Sequence, residues 1–183
     1  MKKILLLTIA FSFSFSGTLY LEMGQSPQYT INDGTVTDLD LGGLTVGYNH
    51  GFFQRGKWSC AIGGSYTLNP ITSVRVGAIR GFNSTWGEAG FLSVYILPVF
   101  QIGEKFFAWA SMGISQGLYD LEDFDNGNTT GFGIHVKLTD ACGIGAGFTT
   151  NELSYTEDDP NDPFDIMGDY TFSRTSIFLT TKF

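Results

Sequence analysis

Arg174-Thr175-Ser176-Ile177-Phe178-Leu179-Thr180-Thr181-Lys182-Phe183, the final segment of the 183-residue chain, alternates between two kinds of surface. Ile177, Leu179 and Phe183 share one parity with Thr175 and Thr181, whereas Arg174, Ser176, Thr180 and Lys182 share the other. Successive side chains of an extended strand point to opposite faces, so the segment is a strand with an apolar side and a polar side.

The same period of two runs backwards through the chain. Phe132, Ile134 and Val136 alternate with Gly131, Gly133, His135 and Lys137. Ala108, Ala110, Met112 and Ile114 alternate with Trp109, Ser111, Gly113 and Ser115, and Ile144, Ala146 and Phe148 alternate with Gly143, Gly145 and Gly147. The bulky apolar face suits lipid and the small polar face suits a barrel interior. A soluble ligand-carrying barrel would turn its bulky residues inward.

Eight strands are expected, at about 18–25, 38–50, 57–69, 88–101, 105–119, 130–139, 142–155 and 169–183. Short connections (51–56, 102–104, 139–140) alternate with long ones (26–37, 70–87, 121–129, 156–168), as periplasmic turns alternate with extracellular loops. Residues 72–82 could form a ninth strand, but that would put the termini on opposite sides, so they are read as an extended hairpin arm of the second loop. A weak repeat of turn, apolar strand and glycine recurs from Gly51, Phe100 and Leu138, the hairpin unit of an up-and-down barrel.

Met1-Lys2-Lys3 followed by Ile4 to Phe15 reads as a secretory leader, with Ser14-Phe15-Ser16 around the cleavage point. Residues 1–16 are therefore expected to be a signal peptide and 17–183 a single domain of roughly 165 residues. Without Lys2 and Lys3 the chain keeps 8 basic against 18 acidic residues, a net charge of −10 that argues against nucleic acid. Cys60 and Cys142 are too few for a disulfide framework and are expected to remain free, facing outward.

The leader, the hairpin repeat, Gly47-Tyr48 before a turn, and the ending Thr-Ser-Ile-Phe-Leu-Thr-Thr-Lys-Phe resemble the small outer-membrane β-barrel proteins, akin to the OmpX type and to the transmembrane domain of OmpA. The resemblance implies an all-β, eight-stranded, antiparallel, up-and-down transmembrane barrel in the outer membrane of a Gram-negative bacterium. It implies outer-membrane lipid and lipopolysaccharide as surroundings, and insertion by the barrel-assembly machinery. Ile177, Leu179 and Phe183 would form the C-terminal assembly signal. Roles among such barrels are structural, adhesive or concerned with envelope integrity, so the resemblance narrows function little.

Alternation directs four ionisable groups into the lumen: Glu22, His135, Lys137 and Arg174. First and last strands are neighbours in a closed barrel, so Glu22 and Arg174 are expected to pair, either as a static plug or as the gate of a narrow ion pore. Acids cluster in the third and fourth loops. Among them Asp123, Asp125, Asp158 and Asp159 are weak candidates for a divalent cation, although the spacing departs from an EF-hand loop. Arg55, Lys57, Lys105 and Lys182 gather at the opposite end. Some barrels of this size modify lipid A, but neither His50 nor His135 has a Ser in a catalytic spacing, and no cofactor motif is present. Aromatics near strand ends (Tyr20, Tyr48, Phe52, Phe53, Trp58, Trp86, Phe106, Tyr119, Tyr170 and Phe183) are expected to form interfacial girdles. The expected role is non-enzymatic, structural or surface-interacting, and carried by the acidic extracellular loops.

Overall fold

One antiparallel sheet closes on itself where the last strand returns to the first. The computed structural model describes residues 17–30, 36–41, 43–76, 79–82, 88–119, 121–155 and 168–182. They form β1 (Gly17–Thr30), β2 (Val36–Leu41), β3 (Leu44–Arg55), β4 (Trp58–Val76), β5 (Ile79–Phe82), β6 (Glu88–Gln101), β7 (Phe106–Tyr119), β8 (Asp125–Lys137), β9 (Cys142–Tyr155) and β10 (Gly168–Lys182). The seam runs from Thr18↔Lys182 to Thr30↔Thr171, with a bulge between Gln25 and Gln28. The leader and Phe183 lie outside the described residues.

These ten segments build eight staves. β2 and β3 both lie between β1 and β4, so together they make one stave interrupted between Leu41 and Leu44. β5 pairs only with the far end of β4 and adds no stave. Residues 72–82 are thus a hairpin arm above the rim, as the parity of the termini requires. The result is an eight-stranded closed antiparallel barrel with no helix among the described residues.

At one end the connections are tight. Gly56 and Lys57 join β3 to β4, with Gly56 at φ 60°, a conformation that glycine adopts without steric cost in a two-residue hairpin. Residues 102–105 and 138–141 make the other two turns, and Thr139 Oγ1 accepts from the Ala141 and Cys142 amides at 3.2 and 3.0 Å. The third loop is shorter than expected. β8 begins at Asp125, so 125–129 are strand, and the connection contracts to a turn in which the Glu122 amide donates to Tyr119 O at 2.9 Å. Burial of Leu121 and Phe124 in the barrel mouth drives this contraction.

Outside, the apolar residues form a belt around the staves. Leu21, Ile96, Met112, Phe132 and Ile177 are 45%, 49%, 63%, 62% and 53% exposed. A soluble monomer rarely leaves a contiguous apolar surface of this extent uncovered, whereas a barrel in lipid requires it. Closure satisfies the other demand of hydrocarbon, because every stave finds backbone partners on both sides.

The interior is less uniformly small than the sequence suggests. Tyr20, Tyr95, Trp109 and Phe178 point inward, and the glycines opposite make room for them. A Cβ on Gly145 would run into the Phe178 ring, one on Gly147 into Trp109, and one on Gly47 into Tyr20. Large and small residues therefore sit side by side on neighbouring staves of the inner wall. Gly145→Val is expected to cost about 1–3 kcal/mol through overpacking, read as a lowered urea midpoint for barrel folded into lipid vesicles. An unchanged midpoint would show that the Phe178 ring moves aside freely.

Candidate functional site

Three layers fill the lumen from its loop end to its turn end. The outermost is an aromatic and aliphatic plug. Phe91 meets Phe172 edge-on at 5.2 Å between centroids, and Phe124 meets Tyr170 at 5.1 Å. Leu121 and Leu153 complete it, essentially without exposure. Gly117 is what lets Leu121 in, since a Cβ there would collide with the Leu121 carbonyl oxygen.

Below the plug lies a polar belt. Arg174 on β10 places Nη2 2.9 Å from Oε1 of Glu22 on β1, and both side chains are 8% exposed. The same Nη2 donates to Thr67 Oγ1 on β4 at 3.2 Å, so the arginine ties the seam to the far wall. Thr67 in turn shares a 2.9 Å hydrogen bond with Thr45, and Ser93 and Ser115 share one of 3.1 Å. The Glu22 contact is an ion pair rather than an aligned hydrogen bond, because Oε1 has no hydrogen-bond partner of good geometry. Nε and Nη1 of Arg174, Oδ1 of Asn151 and Oγ of Ser176 also have no hydrogen-bond partner among the described residues. Such orphans are few in folded proteins.

The third layer, toward the turn end, is a chamber of about 820 Å³. Its walls include the inward aromatics: the Tyr20 and Tyr95 hydroxyls are 2.8 Å apart, and Tyr95 donates to Asn49 Oδ1 at 3.0 Å. Trp109 and Phe178 meet edge-on at 5.8 Å. Gln54, Glu104, Thr139 and Lys182 stand at its mouth, so it opens at the turn end and has the Glu22–Arg174 belt as its floor.

The four ionisable residues singled out from the sequence do not form one cluster. Glu22 and Arg174 meet in the belt. His135 lies nearer the mouth, with Nε2 2.9 Å from Thr180 Oγ1 and its ring stacked on Phe178 at 11°. Lys137 stands at the chamber's mouth, its ammonium 2.6 Å from Asp140 Oδ1 in the β8–β9 turn. The reason is reach, since a long lysine chain at a strand end finds a carboxylate three residues on. That hydrogen bond holds the exposed Asp140 carboxyl below its usual range.

Other sequence-predicted positions are more dispersed. Ile177 and Leu179 lie on the lipid-facing belt. Asp123 and Asp125 are exposed at the loop end, and no group of three His, Cys, Asp or Glu among the described residues is arranged to hold a metal ion. Asp158, Asp159 and Phe183 fall outside the described residues. Both cysteines are free. Tyr20 and Tyr170 are not girdle residues. Tyr20 is hydrogen-bonded inside the lumen and Tyr170 is in the plug, while Phe53, Trp58 and Phe106 remain exposed at the turn end. The strand parity that placed Glu22 and Arg174 inward would also have placed Tyr20 and Phe178 there.

A closed eight-stave antiparallel barrel and a lipid-facing apolar belt define the transmembrane barrel fold of small outer-membrane proteins. Solved structures agree. Neisserial surface protein A superposes with a TM-score of 0.61 at 10% identity, covering 91% of this chain and 97% of that one. Ail, the attachment invasion locus protein of Yersinia pestis, gives 0.54 at 14% identity over 92% and 99%. A de novo designed transmembrane β-barrel gives 0.51 at 12% identity over 92% and 95%. At these identities the likeness is one of fold. No family model matches the chain, and no curated protein matches it significantly.

Proposed function

We propose that this chain is a non-enzymatic protein of the outer membrane of a Gram-negative bacterium, turn end toward the periplasm, whose role is structural and surface-interacting. The observation that carries this reading is the double closure of the lumen. The aromatic plug and the Glu22–Arg174–Thr67 tie lie in series, and both occupy the path that a solute would take. The histidine that reaches the lumen pairs with the Thr180 hydroxyl and stacks on an aromatic ring, and among the described residues no carboxylate orients its other ring nitrogen as a triad requires. What remains to meet partners is the loop end, where Glu122, Asp123, Asp125, Glu152 and Asp169 are exposed.

That surface favours cationic partners, or lipopolysaccharide phosphates bridged by divalent ions. Ail has been solved with the heparin analogue sucrose octasulfate. A polysulfate needs a basic surface, and the acids here point to the opposite preference. Vesicles carrying the barrel should adhere to polylysine-coated but not heparin-coated surfaces, and added salt should release them. The combined variant Glu122→Gln, Asp123→Asn, Glu152→Gln should lower adhesion severalfold. Equal adhesion by the variant, or adhesion to heparin, would overturn the loop reading. Unitary openings in a planar bilayer would instead favour a gated pore.

A further inference from the structure

We infer that the turn-end chamber is a binding site for a small, neutral, polyhydroxylated molecule of monosaccharide size. The cavity opens at the turn end, and the Glu22–Arg174 pair lines its inner end, with the aromatic plug beyond. Its volume of about 820 Å³ falls in the range typical of small-molecule sites.

The wall chemistry selects the ligand class. The two floor charges neutralise each other at 2.9 Å, so neither a cation nor an anion gains a net counter-charge there. Between the floor and the charged mouth, where Glu104, Lys137, Asp140 and Lys182 stand, the polar lining is mainly hydroxyls and an amide, among them Ser59, Ser65, Ser111 and Asn49, which both donate and accept. A ligand made of hydroxyls matches such a set. The rings of Tyr20, Trp109 and Phe178, from β1, β7 and β10, cluster edge-on around the chamber and line it with apolar ring surface suited to the C–H face of a saturated ring. The floor is also under-satisfied: Nε and Nη1 of Arg174 and Oδ1 of Asn151 are buried without hydrogen-bond partners among the described residues. A polar guest that lets the floor groups rearrange gains the free energy that such orphans withhold.

The test is saturation-transfer NMR on the full barrel in lipid nanodiscs, with methyl β-glucoside as probe and benzoate and choline as charged planar and cationic controls. Methyl β-glucoside should give a saturable signal that neither control displaces. Ser111→Phe, which fills the chamber, and Trp109→Leu, which removes a platform, should each weaken it at least tenfold. Ile134→Leu on the lipid face should leave it unchanged. Heat-modifiable gel mobility shows which variants are folded. No saturable signal with the parent barrel overturns the inference, as does preferential binding of benzoate or choline. A folded Ser111→Phe or Trp109→Leu variant that binds as tightly as the parent overturns it too, leaving only an aqueous lumen.

Discussion

Arg174→Ala is expected to lower the stability of the folded barrel by about 3–5 kcal/mol, the usual consequence of removing one partner from a buried ion pair. The substitution strands the Glu22 carboxylate in a site 8% exposed and deprives Thr67 of its donor. It also removes a side-chain contact that reinforces the backbone seam between β1 and β10. Urea unfolding in lipid vesicles reads the effect directly. Replacing both partners, as Glu22→Leu with Arg174→Leu, should recover most of the loss, because no charge is left unpaired. A loss below about 1 kcal/mol in the single variant would mean that water reaches the pair and shields it.

Met112→Arg should cost about 2–4 kcal/mol, and Phe106→Arg at the belt's edge only about 0–1 kcal/mol. Both side chains are more than half exposed, so packing within the protein predicts almost no difference between them. Depth in the bilayer does. Met112 lies midway along β7, while Phe106 begins that strand beside the turn end. The same vesicle assay checks the gradient. Equal, small costs at the two positions would place both in water and remove the lipid belt.

The barrel was readable from sequence because lipid imposes a period of two that ordinary packing seldom keeps so strictly. Where the lipid belt ends, the signal ends as well. Asp125 to Thr129 form strand, paired through Asn128↔Glu152 and Thr129↔Asn151, yet both of their faces are polar and they read as loop. The same holds for the break between β2 and β3, which interrupts a stave that parity alone carries straight through.

At the site, parity set Glu22 and Arg174 on the inner face, and the seam brings them together. Parity says nothing of how far a side chain reaches. That is why Lys137, also on the inner parity, ends on Asp140, and why Arg174 extends past Glu22 to Thr67 on β4. Tyr20 and Tyr170 show a second limit. An aromatic near a strand end suits a membrane interface and a lumen equally, and only its facing neighbour decides. For Tyr20 that neighbour is Gly47, which leaves the lumen space that its ring fills.

The central claim is a closed barrel inserted in a bilayer. The most direct measurement is gel mobility of the detergent-folded chain before and after boiling, combined with protease digestion after folding into vesicles. A closed barrel should migrate faster unboiled, lose that mobility on heating, and yield a protected core spanning the strands while the loops are cut. Identical mobility in both lanes, together with full digestion and solubility without detergent, would contradict the account.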